Sequence, residues 1–182
     1  MLHTGEEFNE ANARVRELTL KPLEKMANRE PLDGNDLKDL EASLPIIDRI
    51  IKFDPSTLEG YALKGKVLKA TGDFNGALRV LQFGLGTATV DQGNYADLVR
   101  ADMYSEAASI YSMRKQYEDA QMVLGHAIRL APSDPRFLYE SAEIAALAGQ
   151  REKAKELLQG VFAIDSDYGR AKTLWRSLRE FE

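Results

Sequence analysis

The 182-residue sequence contains no cysteine and only two histidines. The absence of cysteine excludes thiol catalysis, a zinc–thiolate site and a disulfide framework, and it is compatible with a reducing compartment. His3 and His126 have no histidine or cysteine at a spacing typical of metal ligands. The sequence therefore predicts no metal site.

The sequence also lacks a basic excess and a long apolar run. Its formal charge is −5, whereas nucleic-acid-binding domains normally present a basic face. No window of about 18 residues is apolar throughout, and residues 1–20 contain no apolar run preceded by basic residues. We therefore predict a cytoplasmic protein with neither a nucleic-acid partner nor a membrane partner. Hydrophobic residues make up 44% of the chain, which is enough for a continuous core.

Motifs for nucleotide binding and catalysis are incomplete. Gly60, Gly65 and Lys66 have the spacing of a phosphate-binding loop, but Val67 stands where that loop carries a hydroxyl for Mg²⁺. Residues 84–89 begin like a dinucleotide-binding loop and lack its last glycine. No Ser-His-Asp or Cys-His set has local support. The sequence therefore predicts no catalytic residue, no cofactor and no enzyme activity.

What the sequence does contain is an internal repeat. A tight turn followed by a small residue occurs three times, with Ala77, Ala120 and Ala154 spaced 43 and 34 residues apart. A period near 34 is typical of stacked helical hairpins. In units that begin at Leu58, Ala101 and Pro135, equivalent positions hold similar residues. They are Gly65, Ala108 and Ala142 in the first helix, Gly72, Lys115 and Gly149 in the turn, Phe74, Tyr117 and Arg151 after the turn, and Leu81, Leu124 and Leu158 in the second helix.

Over residues 58–168 this pattern resembles the tetratricopeptide repeat family. It departs from the family at the fourth position, where Tyr61, Tyr104 and Leu138 replace tryptophan. The resemblance implies an all-α fold, a right-handed superhelical stack of antiparallel helix hairpins with N- and C-terminal capping helices. Such a stack usually offers a surface to a partner.

The N-terminal flank predicts two further helices. Thr4 and Glu7 form a capping box that begins a helix over residues 5–20, and Pro22 should end or kink it. Its apolar face holds Phe8, Ala11, Val15 and Leu18. A second helix near residues 36–53 follows a turn-rich stretch, and Pro45 should bend or interrupt it.

The C-terminal flank predicts a last helix over residues 169–181. Leu174, Trp175, Leu178 and Phe181 form its apolar stripe. A helix of this kind covers the apolar edge that the last hairpin of a stack would otherwise expose. We expect Trp175 to serve this packing.

Taken together, these elements predict a single domain over residues 1–182. Its parts are an N-terminal helical extension (1–23), a degenerate repeat (24–57), a repeat (58–91), an insertion (92–100), two further repeats (101–134 and 135–168) and a C-terminal capping helix (169–182). The insertion predicts a longer helix over residues 95–113 with Asn94 as its N-cap, after a loose segment over residues 84–93. It is either a tolerated loop insertion or a protruding helix end that borders a groove.

The resemblance also implies which residues face a partner. In this family the first helix of each hairpin lines a concave groove. The corresponding residues are Glu59, Lys66, Lys69, Asp102, Ser105, Ser109, Met113, Arg136, Tyr139 and Glu143. We predict Tyr139 and Met113 as the main contacts, with packing between hairpins as their alternative role.

The predicted function is a non-catalytic scaffold or adaptor that binds a protein or peptide segment in this groove. A secretion-type chaperone is one alternative, because small acidic chains with three such repeats and an N-terminal helical extension do this work in bacteria. That alternative predicts a homodimer formed through the N-terminal helix. A regulatory repeat domain of a larger protein is the other alternative.

Overall fold

The computed structural model describes residue 2, residues 4–87 and residues 93–179. Within those residues the regular secondary structure is entirely α-helical, which confirms the predicted all-α fold. The helices are α1 (Gly5–Ala27), α2 (Gly34–Phe53), α3 (Leu58–Ala70), α4 (Phe74–Gly86), α5 (Asn94–Met113), α6 (Tyr117–Leu130), α7 (Pro135–Leu147), α8 (Arg151–Ile164) and α9 (Gly169–Arg179). The chain divides into two compact units, Met1–Gln92 and Gly93–Glu182.

The first unit contains α1 to α4, and each helix packs on the next one along the chain. Its core combines Ala11 and Val15 of α1 with Leu40, Ile47 and Ile50 of α2 and with Val67 of α3. The apolar face predicted for the N-terminal helix is therefore covered within this unit. As a result, α1 and α2 form a hairpin of their own.

The start of α1 agrees with the predicted capping box. The Glu7 backbone N–H donates to the Thr4 hydroxyl at 3.1 Å, and the Thr4 N–H donates to the Glu7 carboxylate at 3.3 Å. The predicted end near residue 20 is wrong, because α1 continues through Pro22 to Ala27. Proline removes one backbone hydrogen bond, and burial of its ring in this unit offsets that cost.

The second helix also continues through its proline. The predicted range of 36–53 agrees with the observed Gly34–Phe53, and Pro45 lies inside the helix without interrupting it. Asp33 caps its N-terminus by accepting from the backbone N–H groups of Asn35 and Asp36. This cap provides the hydrogen bonds that the first turn of a helix cannot make internally.

Hairpins in both units end their first helix in the same way. Gly72 and Gly149 have φ of 89° and 74°, and Lys115 takes the same left-handed region with φ of 61°. After two of these turns a backbone N–H reaches five residues back, from Gln116 to Tyr111 and from Gln150 to Ala145. Each hydrogen bond satisfies a carbonyl near the end of the helix, and the left-handed residue allows the chain to reverse its direction there.

Small residues allow the helices of a hairpin to approach closely. Ala77, Ala120 and Ala154 are completely buried. A Cβ added at Gly65 of α3 would lie 2.5 Å from the side chain of Leu81 in α4. The predicted role of the small positions therefore agrees with the packing that the structure shows.

The second unit contains α5 to α9. Its core has two adjoining clusters, one between α5, α6 and α7 and one between α7, α8 and α9. α5 has 20 residues, against 13 in α3, so the predicted long helix is confirmed. The predicted N-cap is wrong by one residue, because Gly93 is the N-cap and Asn94 is the first helical residue.

Two other predictions concern the ends of the described ranges. The segment expected to be loose from residue 84 is helical as far as Gly86, and residues 88–92 lie outside the described residues. The last helix agrees with its predicted start and packs on α8, where Trp175 meets Phe162 edge-on with ring centroids 5.9 Å apart. Phe181, like His3, lies outside the described residues.

No helix in the described ranges is both long enough and apolar enough to cross a lipid bilayer.

Candidate interaction surface

The surface formed by α5 and α7 is fixed by two polar contacts between these helices. Arg136 Nη2 lies 3.3 Å from Asp102 Oδ1. The Ser105 hydroxyl donates to Glu140 Oε2 at 2.6 Å. Since each pair joins residues 34 or 35 positions apart, α5 lies beside α7 with a register equal to the repeat period. We call this surface, with Met113 and Leu147 at its far end, the α5–α7 face.

The predicted groove residues belong to both units. Glu59, Lys66 and Lys69 lie on α3 of the first unit, where Glu59 is exposed and both lysines are half-buried. The remaining seven lie on the α5–α7 face of the second unit. In that unit Met113 and Arg136 are exposed, whereas Asp102, Ser105, Ser109 and Glu143 are half-buried.

Tyr139 occupies a different environment from Met113. It is only 5% exposed, whereas Met113 is 59% exposed. The Tyr139 hydroxyl donates to Glu143 Oε1 at 2.7 Å, and its ring lies 5.3 Å from that of Tyr168. In this arrangement Tyr139 supports the wall of the face and holds the Glu143 carboxylate in place. Met113 therefore offers much more surface to a partner.

Arg136 is held by two carboxylates at one end of the face. Its Nε and Nη2 atoms lie 2.9 Å and 2.7 Å from Asp134 Oδ2, in addition to the contact with Asp102. Burial acts to raise the pKa of Asp134, but the hydrogen bonds from Arg136 outweigh it and keep that pKa below its usual value. The guanidinium is thus committed to carboxylates of its own unit.

Glu140 is a member of this face that the sequence pattern did not single out. Its pKa is raised, first by burial and further by the nearby carboxylates of Glu106 and Glu143, while the Ser105 hydroxyl and Arg136 oppose the shift. Both Glu106 and Glu140 occupy the sixth position of their repeats. The sequence signal that could have identified Glu140 is a glutamate at the same position of two successive repeats.

The described residues show no arrangement for metal binding. Nowhere in residues 4–87 or 93–179 do three or more His, Asp or Glu side chains cluster so that they could hold an ion. His126 is exposed, its ring stacks on Tyr104 at 4.8 Å, and its Nδ1 lies 2.9 Å from Arg129 Nη2. It therefore acts as a surface packing residue.

Comparison with known families matches the second unit. The family described as "Tetratricopeptide repeat" matches residues 113–178. This segment spans the end of α5, all of α6 to α8 and most of α9, including two of the left-handed turns. No curated protein sequence matches the chain.

Solved structures share the fold. MamA has a TM-score of 0.64 and 21% identity, with 83% of this chain and 85% of that chain covered. MamA from Desulfovibrio magneticus has a TM-score of 0.56 and 17% identity, with 92% and 94% covered. A thermophilic TPR protein of Thermus thermophilus has a TM-score of 0.58 and 18% identity, with 91% and 83% covered.

The repeat pattern predicted a likeness to tetratricopeptide repeat proteins, and both comparisons show one, in sequence for part of the chain and in fold for most of it. Residues 113–178 match the family by sequence, and the chain has the all-α fold of its solved structures. Proteins of this family are generally non-catalytic modules that bind proteins or peptides. The fold is therefore consistent with a protein-interaction scaffold.

Proposed function

We propose that this protein is a non-catalytic scaffold that binds a peptide segment of a partner protein on the first helices of its hairpins. The α5–α7 face supports this proposal most directly. It presents two exposed apolar side chains, Met113 at 59% and Leu147 at 63% exposure, on a surface whose other members are mostly polar. Exposed apolar side chains next to groups that can form hydrogen bonds are typical of peptide-binding surfaces.

The first unit extends the proposal to α3. Glu59, Lys66 and Lys69 are the residues of that helix that the repeat pattern assigns to a groove. They would offer charged contacts on a surface of the first unit, which the proposal treats separately from the α5–α7 face. The absence of cysteine from the chain is compatible with a cytoplasmic location, which we include in the proposal.

A capture experiment tests the scaffold function. The purified chain and the double variant Met113→Ser, Leu147→Ser would be immobilised, and the proteins captured from native lysate would be quantified. We expect the variant to lose a defined set of partners by about tenfold or more, because central apolar contacts carry most of the binding free energy. Tyr139→Ala is unsuitable, since truncating a buried tyrosine leaves a cavity that destabilises the fold.

The chain offers a matched control on its second helices. Met122 of α6 and Ile164 of α8 are 65% and 41% exposed. The variant Met122→Ser, Ile164→Ser removes the same kind of apolar surface from helices outside the proposed groove. Identical partner sets for the wild type and both variants would contradict binding on the α5–α7 face.

The chaperone alternative depends on dimerisation through α1. Ala11, Val15 and Leu18 of that helix are buried within the first unit, which leaves a smaller apolar surface for a second copy. We therefore place the scaffold first. Light scattering of the full-length chain decides between them, because a strict monomer over the whole range of protein concentrations would contradict the alternative.

A further inference from the structure

The two extra turns at the start of α5, which belong to the insertion over residues 92–100, continue the α5–α7 face. Tyr95 and Leu98 come seven and four residues before Asp102. The 3.6-residue period of a helix therefore places them on the same side of α5 as Asp102. Tyr95 is 59% exposed and Leu98 is 44% exposed. The insertion thus adds exposed apolar side chains to this surface.

This second apolar end lies beyond the start of α7. An offset of 34 residues relates paired positions of α5 and α7, as in the contact between Asp102 and Arg136. At that offset α7 begins opposite residue 101 of α5. Leu98 therefore lies at the opposite end of the face from Met113. The two residues are 15 positions apart on one helix, which corresponds to about 22 Å.

Between its two apolar ends the face is polar, and its charged groups are engaged with one another. Asp97 lies 3.3 Å from Arg100 in the extra turns. The Arg136 guanidinium contacts two carboxylates, and the hydroxyls of Ser105 and Tyr139 donate to two others. The middle of the face therefore consists mainly of polar side chains.

Neither sign of charge dominates the surroundings of the face. The carboxylates of Glu140 and Glu143 lie on α7. Four basic residues border the same surface, namely Arg114 and Lys115 directly after α5, Arg151 at the start of α8 and Arg170 at the start of α9. A partner that matches this mixture carries little charge, because a charge of either sign would meet groups of its own sign.

We propose that the α5–α7 face binds an extended, uncharged polar segment that carries one apolar side chain toward each end. One apolar side chain would pack on Leu98 with Tyr95, and the other on Met113 with Leu147. An extended chain advances about 3.3 Å per residue, so a span of about 22 Å places the two about seven residues apart. An amphipathic helix suits a continuously apolar groove, whereas polar side chains in the middle suit the backbone groups that an extended segment exposes. This inference rests on the proposed function, because it names the segment that the scaffold binds.

Selection from a random peptide library tests both the spacing and the chemistry. Peptides of about twelve residues, which extend over about 40 Å, would be displayed on phage. They would be selected in parallel against the full-length chain, against Leu98→Gln and against the double variant Met113→Ser, Leu147→Ser. We expect the wild type to enrich peptides with two apolar residues about six to eight positions apart and uncharged residues between them. Leu98→Gln should remove the requirement at one end of the peptide, and the double variant the requirement at the other end.

A double-mutant cycle then assigns one end of a selected peptide to Leu98. Serine replaces the apolar residue at that end, and the affinities of both peptides are measured for the wild type and for Leu98→Gln. We expect each change alone to weaken binding about fivefold to tenfold, and the two together to weaken it no further, because they remove the same contact. Leu20→Gln of α1, which is 55% exposed and lies outside the face, is the matched control and should leave the affinity unchanged.

The outcomes separate this inference from the proposed function. Peptides with a single apolar anchor that bind wild type and Leu98→Gln equally would overturn the inference and leave the scaffold function intact. Charged peptides, or apolar residues spaced as on one face of a helix, would do the same. A dimer in light scattering that Leu98→Gln dissociates would make a second copy the occupant and overturn it too. The same peptides enriched by the wild type and the double variant, or none enriched by either, would count against the α5–α7 face and the proposed function as well.

Discussion

The ammonium group of Lys25 lies 2.5 Å from the carboxylate of Asp36, which is 2% exposed. The same group lies 3.0 Å from Asp33, the N-cap of α2. This contact joins the last turn of α1 to the first turn of α2. It therefore closes the first hairpin, and its two carboxylates also bind the N-terminal amide groups of α2.

Removing this lysine should destabilise the first unit. Lys25→Met leaves the Asp36 carboxylate without its cationic partner, so the free energy of unfolding should fall by clearly more than in a variant of an exposed lysine. Denaturant unfolding at pH 7 measures the loss. Lys21→Met, an exposed lysine on the same helix, is the control and should change stability by less than about 0.5 kcal/mol. Equal effects of the two variants would contradict a stabilising role for the contact between Lys25 and Asp36.

The same contact predicts an acid-dependent loss of stability. The hydrogen bond from Lys25 is the main cause that lowers the pKa of Asp36, and the pKa of Asp33 is lowered first by the backbone N–H of Asp36. A carboxyl with a lowered folded-state pKa stabilises the fold above its unfolded pKa of about 4, and this contribution disappears as the pH falls through the folded value. The difference between wild type and Lys25→Met should therefore shrink below pH 4. A constant difference from pH 7 to pH 2 would contradict this explanation.

The raised pKa of Glu140 predicts a pH dependence of stability opposite in sign to that of Asp33 and Asp36. Burial first, and the charges of Glu106 and Glu143 next, raise its pKa in the folded state. Ionisation of such a group above its unfolded pKa destabilises the fold. Glu140→Gln should therefore raise the unfolding temperature at pH 7, by roughly 2–4 °C for each kcal/mol gained. Thermal unfolding should show this gain shrinking below pH 4, and a lower unfolding temperature at pH 7 would be evidence against it.

The left-handed turns predict that two substitutions have opposite effects on stability. Lys115→Gly should stabilise the chain by about 0.5–1 kcal/mol, because glycine adopts a positive φ without steric cost. Gly149→Ala should destabilise it by about 1 kcal/mol for the converse reason. Gly169→Ala is the control, since a Cβ there meets no atom within 4 Å and φ is not in the left-handed region. Chemical denaturation ranks the three, and stabilisation by Gly149→Ala would refute the turn geometry.

Close packing at Gly65 predicts a cost from a single methyl group. A Cβ there would lie 2.5 Å from Leu81, which is 1% exposed. Gly65→Ala should destabilise the first unit by about 1–3 kcal/mol, even though alanine favours helix more than glycine does. Gly125→Ala in α6 is the matched control. Its nearest contact is an ordinary 3.7 Å, so it should stabilise the chain by up to about 1 kcal/mol. Equal stability changes in circular dichroism melts would contradict the packing argument.

Several helices could be predicted from local pattern, and their differences from prediction have identifiable causes. The capping box at Thr4 and the long α5 agreed because caps and apolar periodicity act within a few residues. The end of α1 was wrong because proline is tolerated in a helix when packing compensates for the lost hydrogen bond. Gly84 and Gly86 were assigned to a loop, whereas α4 extends through both, since tertiary packing overrides weak local propensity.

The sequence by itself determined that this chain would fold as helical hairpins, because the repeat of small and large residues specifies which side of each helix is covered. Only the tertiary structure decided how the groove residues differ. In the folded chain Tyr139 is buried, whereas Met113 and Leu147 are exposed. The Glu140 carboxylate accepts a hydrogen bond from the Ser105 hydroxyl, and the charge of Glu106 raises its pKa further. Burial and pKa depend on neighbours some 34 residues away in the chain, and residue type and spacing do not specify how closely those neighbours pack.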